Sequence, residues 1–262
     1  MVALTERHKT GITQRFKYVQ ARRYTMLTVR LRLFFHQQSD RVVARYLGTK
    51  SATLPYPVWM GGLWGYGELK EQADPLMPNE EDRRLQIVLN PDLRDQYLQA
   101  ADIASELIGS EAPDPDDPRV RDYLSIAGDR VTQINDVTRN SIQDALVLGG
   151  ARGYNQHQIA HGVPEDGYVG LDDIVDQTYA NRSAAIARTE LAFASARATL
   201  DTYDESAVDL VEVRDGEGCG WVEHDDPDYP DGVDQLTFPI ADALEHPIAH
   251  PNCVRVFLPV FE

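Results

Sequence analysis

Cysteine, lysine and long apolar runs are all scarce in this sequence. Its 262 residues include only two cysteines, too few to staple a secreted miniprotein together. No stretch reaches the roughly 18 to 20 apolar residues that a membrane span needs, and no apolar run follows the charges at the amino terminus. We therefore expect no membrane partner and no secretory signal. The 42% of apolar residues can fill one large domain or two small ones.

Lysine supplies only four of the 25 basic side chains, and aspartate supplies 27 of the 42 acidic ones. Short, strongly hydrated carboxylates with few long ammonium groups suit a surface that stays soluble in concentrated salt. At molar ionic strength the Debye length is about 3 Å. Repulsion within a chain of net charge −17 is then largely screened. The composition predicts a salt-loving, halophilic source.

The charges are distributed unevenly along the chain. Residues 1–50 carry eleven basic and two acidic side chains, whereas residues 51–262 carry 14 basic and 40 acidic ones. Either the basic segment meets an anionic partner, or its charges form a solvated helix face. Under the first interpretation the basic contact candidates are Arg15, Lys17, Arg22, Arg23, Arg30, Arg32, Arg41 and Arg45.

Apolar residues between positions 12 and 46 recur mostly three, four or seven apart, which predicts one long helix over residues 5–47. The periodicity lapses at Gln37–Ser39, the candidate position for a break. Prolines and glycines then surround Trp59 and Trp64, which indicates an irregular segment. The two tryptophans form either a docking site or a loop packed on its own chain.

A second helix is predicted to begin at Asn90, as N-cap, with Pro91 in its first turn, and to continue to about Ile108. The acidic, proline-rich Ala112–Pro118 predicts a stiff linker and a domain boundary. Helical patterns then cover 119–149 (with a break near Asn135–Asp136), 155–161, 171–179 and 182–203, and β-like runs cover 208–213 and 254–261.

Strands that follow helices without βαβ alternation indicate an α+β class. We therefore predict a mostly helical α+β protein in three parts. A long basic amphipathic helix (1–50) precedes a segment with an aromatic loop, a helix and an acidic linker (51–118). The third part (119–262) is a helical domain that ends in a small β-rich subdomain.

Two pairs of soft ligands lie near the carboxyl terminus: Cys219 with His224, and His250 with Cys253. A tetrahedral Zn²⁺ site needs two such pairs brought together by a turn. Three interpretations stay open: a zinc site, a disulfide that closes the 33-residue gap between the cysteines, or two inert buried thiols. Spare ligand candidates are Asp215 and His246.

No catalytic template is complete in the sequence. The carboxylate-rich stretch from Asp225 to Asp234 lacks the spacing of an EF-hand and its final glutamate, so we expect a solvated turn. The nucleophile-elbow, phosphate-loop and His-Glu-x-x-His motifs are absent from the sequence. We therefore predict that the protein is not an enzyme.

Four further segments are Ile134-Asn-Asp-Val-Thr-Arg139, Ile186-Ala-Arg-Thr-Glu190, Asp215-Gly-Glu-Gly-Cys-Gly-Trp221 and Pro247-Ile-Ala-His-Pro-Asn-Cys253. In this order they resemble the phage Mu F-like minor head protein (head morphogenesis) family of tailed viruses. The resemblance covers about half of the chain, from near residue 120 to its end. Residues of these segments with an expected structural role in the domain are Arg188, Glu190, Asp215 and Trp221.

The chain also departs from the pattern of this family. Many members carry a Cys-x-x-Cys pair in the third segment and a Cys-x-Cys ending. Here the third segment has only Cys219, and Arg255 stands where the second cysteine of the ending would fall. Any metal site must therefore recruit His224 or His250.

The resemblance implies a minor capsid protein of the virion, bound in few copies to the oligomeric portal ring inside the head. It implies a role in head morphogenesis, DNA packaging or delivery, with the cytoplasm of the host as the place of assembly. Together with the halophilic composition, it implies a haloarchaeal host. Packaged double-stranded DNA and the major capsid protein are further candidate partners. Because high salt weakens phosphate binding, we expect portal contact through the apolar residues of 12–46 and through Trp59 and Trp64.

Two other functions stay open. A zinc-dependent hydrolase would use Cys219, His250 and Cys253 as ligands and Glu223 as its base. A basic-armed DNA-binding protein would use residues 1–50 and would bind with a steep salt dependence.

Overall fold

The computed structural model describes residues 4–49, 76–216 and 218–261. Within these ranges the helices are α1 (Glu6–Thr49), α2 (Glu80–Ile108), α3 (Pro118–Ala151), α4 (Gln156–His161), α5 (Leu171–Glu205) and α6 (Ile240–Glu245), and the strands are β1 (Leu210–Arg214), β2 (Thr237–Pro239) and β3 (Val256–Val260). The predicted mostly helical α+β class, with a long first helix and a small β-rich end, is confirmed. None of the helices in the described ranges is long and apolar enough to cross a membrane.

The chain divides into two compact units, and each is assembled from separated stretches of sequence. Unit 1 comprises Met1–Thr28, Leu89–Ala127 and Ala184–Glu262, and unit 2 comprises Val29–Val88 and Gly128–Ser183. Each of the four long helices therefore contributes residues to both units. This division differs from the predicted organisation in three consecutive parts. The acidic linker that was predicted as a domain boundary lies inside unit 1.

Unit 1 contains an antiparallel sheet in the order β2-β1-β3. Val211 and Val213 of the central strand are completely buried. The indole of Trp221 stacks on Phe238 of β2 with ring centroids 3.8 Å apart. On the helical side, the hydroxyl of Tyr97 donates a hydrogen bond to Asp201 at 2.7 Å. The sheet and the helices of this unit share one apolar core.

The apolar stripe predicted on the first helix exists, but the chain itself buries it. Leu27, Leu31 and Val42 have no exposed side-chain surface, and Phe34 packs edge-on against Phe35 in unit 2. These side chains are removed from solvent and offer no surface to a partner, while the portal contact itself stays a prediction.

The breaks predicted inside two long helices do not occur. The apolar pattern lapses there because the helix buries polar residues, which find hydrogen-bond partners. Ser39 is buried and donates a hydrogen bond to the carbonyl of Asp172 at 2.9 Å. Asn135 is completely buried and donates to Asp82 at 2.7 Å. The residues predicted as two helices, 171–179 and 182–203, likewise belong to the single helix α5.

The second helix begins ten residues before the predicted start. Glu80, Glu81 and Asp82 occupy its first turn, where carboxylates interact favourably with the helix dipole. Pro91 lies inside the helix rather than at its start. Strand β2 and the short α6 were not predicted, because three and six residues carry too little periodicity to be recognised.

Candidate metal centre

A tight turn presents His250 and Cys253 at the end of the chain. The amide of Cys253 donates to the carbonyl of His250 at 3.0 Å, and Asn252 adopts a left-handed φ of 70°. Asparagine tolerates this region better than most residues. The amide of Asn252 donates to the hydroxyl of Thr189 on α5 at 3.0 Å, which attaches the turn to the helix.

A second loop presents Cys219. Its neighbour Gly220 leaves no room for a side chain, because an added Cβ would lie 2.3 Å from Cβ of Asp226. The buried Asp226 carboxylate accepts hydrogen bonds from the amides of Trp221, Val222 and Asp228 at 3.0 Å each. These bonds lower the pKa of Asp226. The predicted solvated turn is thus a loop organised around an internal carboxylate.

The two loops bring three soft ligands together. One ligand atom from each of Cys219, His250 and Cys253 lies within 4.8 Å of the other two. Sγ of Cys219 and Nε2 of His250 are 3.3 Å apart. Nδ1 of His250 lies 2.8 Å from the carbonyl of Pro251. With its proton on Nδ1 the ring donates there, which leaves the Nε2 lone pair facing Cys219.

Burial raises the pKa of the Cys219 thiol to about 12, and the neighbouring Cys253 and Asp215 raise it in the same direction. Cys253 is completely enclosed, and both cysteines are free thiols rather than a disulfide. Cys219 is therefore protonated at neutral pH when no cation is bound. A metal ion would displace this proton, because the thiolate is the ligand form.

Arg255 lies beneath the two loops and is completely buried. Its Nε donates to Asp215 at 2.9 Å, and its Nη atoms donate to the carbonyls of Gly220, Trp221 and His246 at 2.5 to 3.1 Å. The guanidinium also lies 4.9 Å from the ring centroid of Trp221. Arg255 thus holds the loop of Cys219 against the strand that follows Cys253. The sequence signal for this role was a single arginine inside the apolar run 254–261.

The other predicted ligands lie near the group but outside it. The ring of His224 packs edge-on against His250 with centroids 5.3 Å apart. His246 uses its carbonyl for Arg255 and its ring against Trp221. Oδ1 of Asp215 is buried with no hydrogen-bond partner among the described residues. The proposed base Glu223 is exposed.

Several of the basic contact candidates pair with acids of their own unit. In unit 1, Arg15 forms an ion pair with Glu106, and Arg23 donates to Asp95 at 3.1 Å. In unit 2, Arg41 and Arg45 both bind the completely buried Glu81, each at 2.7 Å. At least these four of the eight cations are therefore engaged within the chain, and Arg30 also interacts with other residues of it. Exposed candidates are Lys17, Arg22, Arg30 and Arg32.

Two groups of predicted site residues remain. Arg188 is exposed and lies over the ring of Tyr24 at 5.3 Å, whereas Glu190 is buried. Trp59 and Trp64 lie outside the described residues.

Comparisons with known proteins identify no relative. No family model matches the chain, and neither the curated proteins nor the solved structures contain a match.

Proposed function

We propose that this protein is a structural minor capsid protein of a tailed virus, bound to the portal ring inside the head and not an enzyme. The proposal follows the four segments that resemble the phage Mu F-like head morphogenesis family. It places the protein in the virion, and in the host cytoplasm during assembly. Packaged DNA and the major capsid protein are neighbours in this arrangement.

One observation carries the proposal: the second and third resembling segments both contact the fourth. Thr189 of the second segment accepts a hydrogen bond from Asn252 of the fourth. Cys219 of the third segment lies 3.3 Å from His250 of the fourth. Segments separated by up to 60 residues thus meet in one place, as expected if they belong to one domain rather than matching by chance.

Portal binding is tested with the full-length chain and the purified portal ring of the same virus. Co-elution in a defined ratio is the expected result. A chain that begins after Pro118 is unsuitable, because it lacks the first of the three stretches that build unit 1 and most of the second. Replacement of Trp59 and Trp64 by alanine should weaken co-elution. Alanine at the exposed Val222 and Leu236 removes apolar surface elsewhere and serves as the matched control.

Absence of co-elution with the wild-type chain would contradict the proposal. Hydrolytic activity that Glu223→Gln abolishes would contradict its non-enzymatic part.

Cys219, His250 and Cys253 also fit Zn²⁺, with a structural role. Bond lengths of about 2.3 Å to sulfur and 2.0 to 2.1 Å to nitrogen place tetrahedral S and N ligands about 3.6 Å apart. The observed separation of Cys219 and His250 is 3.3 Å. His224 and Asp215 are the nearest candidates for a fourth ligand. A bound Zn²⁺ would join the two loops around Arg255 and raise the stability of unit 1.

The zinc content of chelator-treated, zinc-reloaded protein tests this assignment. We expect one zinc per chain, a higher melting temperature with zinc, and loss of both in Cys219→Ser and His250→Ala. His157→Ala is the matched control, because His157 is exposed and lies outside the group. A zinc-to-protein ratio near zero in the wild type would refute the site.

A further inference from the structure

Helix α1 presents a second face to solvent, opposite in character to its buried stripe. This basic stripe consists of Tyr18, Arg22, Met26, Val29, Arg32 and Leu33. Steps of three and four residues place its members on one side of a single uninterrupted helix. Its geometry therefore follows from the helix alone.

The apolar members of the basic stripe are well exposed: Tyr18 is 68% accessible, and Met26, Val29 and Leu33 are 58 to 59% accessible. Arg22 and Arg32 form no ion pair with any described residue. Neighbouring exposed apolar side chains on one helix face are a mark of an interaction surface.

Helix α3 carries a face of the opposite sign. This acidic stripe consists of Asp122, Ile126, Asp129, Val137, Asp144 and Leu148, in register on one continuous helix, and the exposed Gln133 and Asn140 lie between them on the same face. Its apolar members are 37 to 47% accessible. Among the described residues, the three aspartates have no ion-pair or hydrogen-bond partner.

We propose that the basic stripe of one copy packs against the acidic stripe of a second copy, so that the chain self-associates. Both stripes combine charged with apolar residues, so apolar side chains can pack together in a helix pair while opposite charges meet. The stripes extend about 22 Å and about 39 Å at 1.5 Å per residue, long enough for several turns to interlock. This inference does not depend on the proposed portal function.

A second copy suits the basic stripe better than nucleic acid does. Phosphates would pair with Arg22 and Arg32 but would leave Met26, Val29 and Leu33 without apolar partners. The whole chain carries a net charge of −17, which opposes association, yet the two stripes bring opposite charges together locally. Each copy has one stripe of each kind and can therefore engage two neighbours.

Sedimentation of the full-length chain over a wide concentration range tests the proposal. The wild type should exceed the monomer mass. Arg22→Glu with Arg32→Glu should be monomeric, as should Asp122→Lys with Asp129→Lys and Asp144→Lys. Lys17→Glu and Asp242→Lys are controls that each reverse one charge of the same sign at an exposed position outside the stripes. We expect association to be at least about ten-fold weaker in the stripe variants than in the wild type. Association of the controls should equal that of the wild type.

The decisive measurement mixes the two stripe variants. The first keeps a native acidic stripe and the second a native basic stripe, so together they should associate in equal numbers although each alone is monomeric. A monomeric wild type, stripe variants that associate normally, or a mixture that stays monomeric would each overturn the proposal. Duplex DNA binding by a monomeric wild type, lost in Arg22→Glu, would assign the basic stripe to nucleic acid instead. Circular dichroism confirms that each variant is folded.

Discussion

Replacement of Arg255 by methionine should destabilise the protein more than any surface change. The guanidinium is completely buried and binds one carboxylate and three carbonyl oxygens. Methionine keeps much of the volume but leaves Asp215 charged and without its partner. Removing one member of a buried ion pair costs about 3 to 5 kcal/mol. For a chain of this size we expect the melting temperature to fall by about 6 to 20 °C.

Denaturant unfolding, followed by circular dichroism and by tryptophan fluorescence, measures this loss. Asp215→Leu combined with Arg255→Met should recover part of the stability, because neither charge is then left alone. We expect a coupling free energy of about 2 kcal/mol between the two positions. Arg83→Met is the control, because Arg83 is 75% exposed and its ion pair with Glu80 lies in solvent.

A loss below about 1 kcal/mol for Arg255→Met, or strict additivity in the double variant, would refute this reasoning. Either result would mean that the loops of Cys219 and Cys253 hold their positions without the arginine.

Three further predictions concern acid, backbone space and salt. Burial favours a higher pKa for Glu81, but its two bound arginines outweigh this effect and lower the pKa below 4.5. The stability it contributes is present above that pH and is lost as the pH falls through the lowered pKa, so Glu81→Gln should flatten acid unfolding measured by circular dichroism. Gly170→Ala should cost about 1 to 3 kcal/mol in urea unfolding, because its Cβ would lie 2.2 Å from the amide nitrogen of Gly162. Gly150→Ala, with open space around it, should stabilise by about 0.5 to 1 kcal/mol. The melting temperature of the wild type should rise from low to molar KCl, and a constant or falling value would contradict the halophilic assignment.

The sequence predicted the helices better than it predicted what covers them. The spacing of Leu27, Leu31 and Phe34 identified a buried face, and that face is buried. Periodicity does not distinguish a partner protein from the rest of the same chain, and here the chain itself buries these side chains. Gln38 and Asn135 suggested breaks because a buried polar residue and a helix end interrupt the apolar pattern in the same way.

The candidate site was predicted only in part, because a sequence pattern reveals residues that lie close together in the chain but not contacts between distant ones. Two of its ligands are only three residues apart, and soft ligands in such pairs are visible in any sequence. The acid partners of Arg15 and Arg41 lie 91 and 40 residues away, and no local pattern connects them. The role of Arg255 depends on three backbone carbonyls, which leave no trace in residue types.

The first turns of α1 carry a consequence for biosynthesis. Glu6 binds Arg214, and Lys9 binds Glu212, so the start of the chain is joined to a strand about 200 residues later. At about 5 to 20 residues per second, the ribosome needs roughly 10 to 40 s to produce that strand after the helix emerges. During this interval the apolar side chains of the nascent helix are not yet covered by the sheet residues that complete unit 1. We therefore expect a dependence on chaperones during translation, and slow folding dominated by contacts between distant parts of the chain.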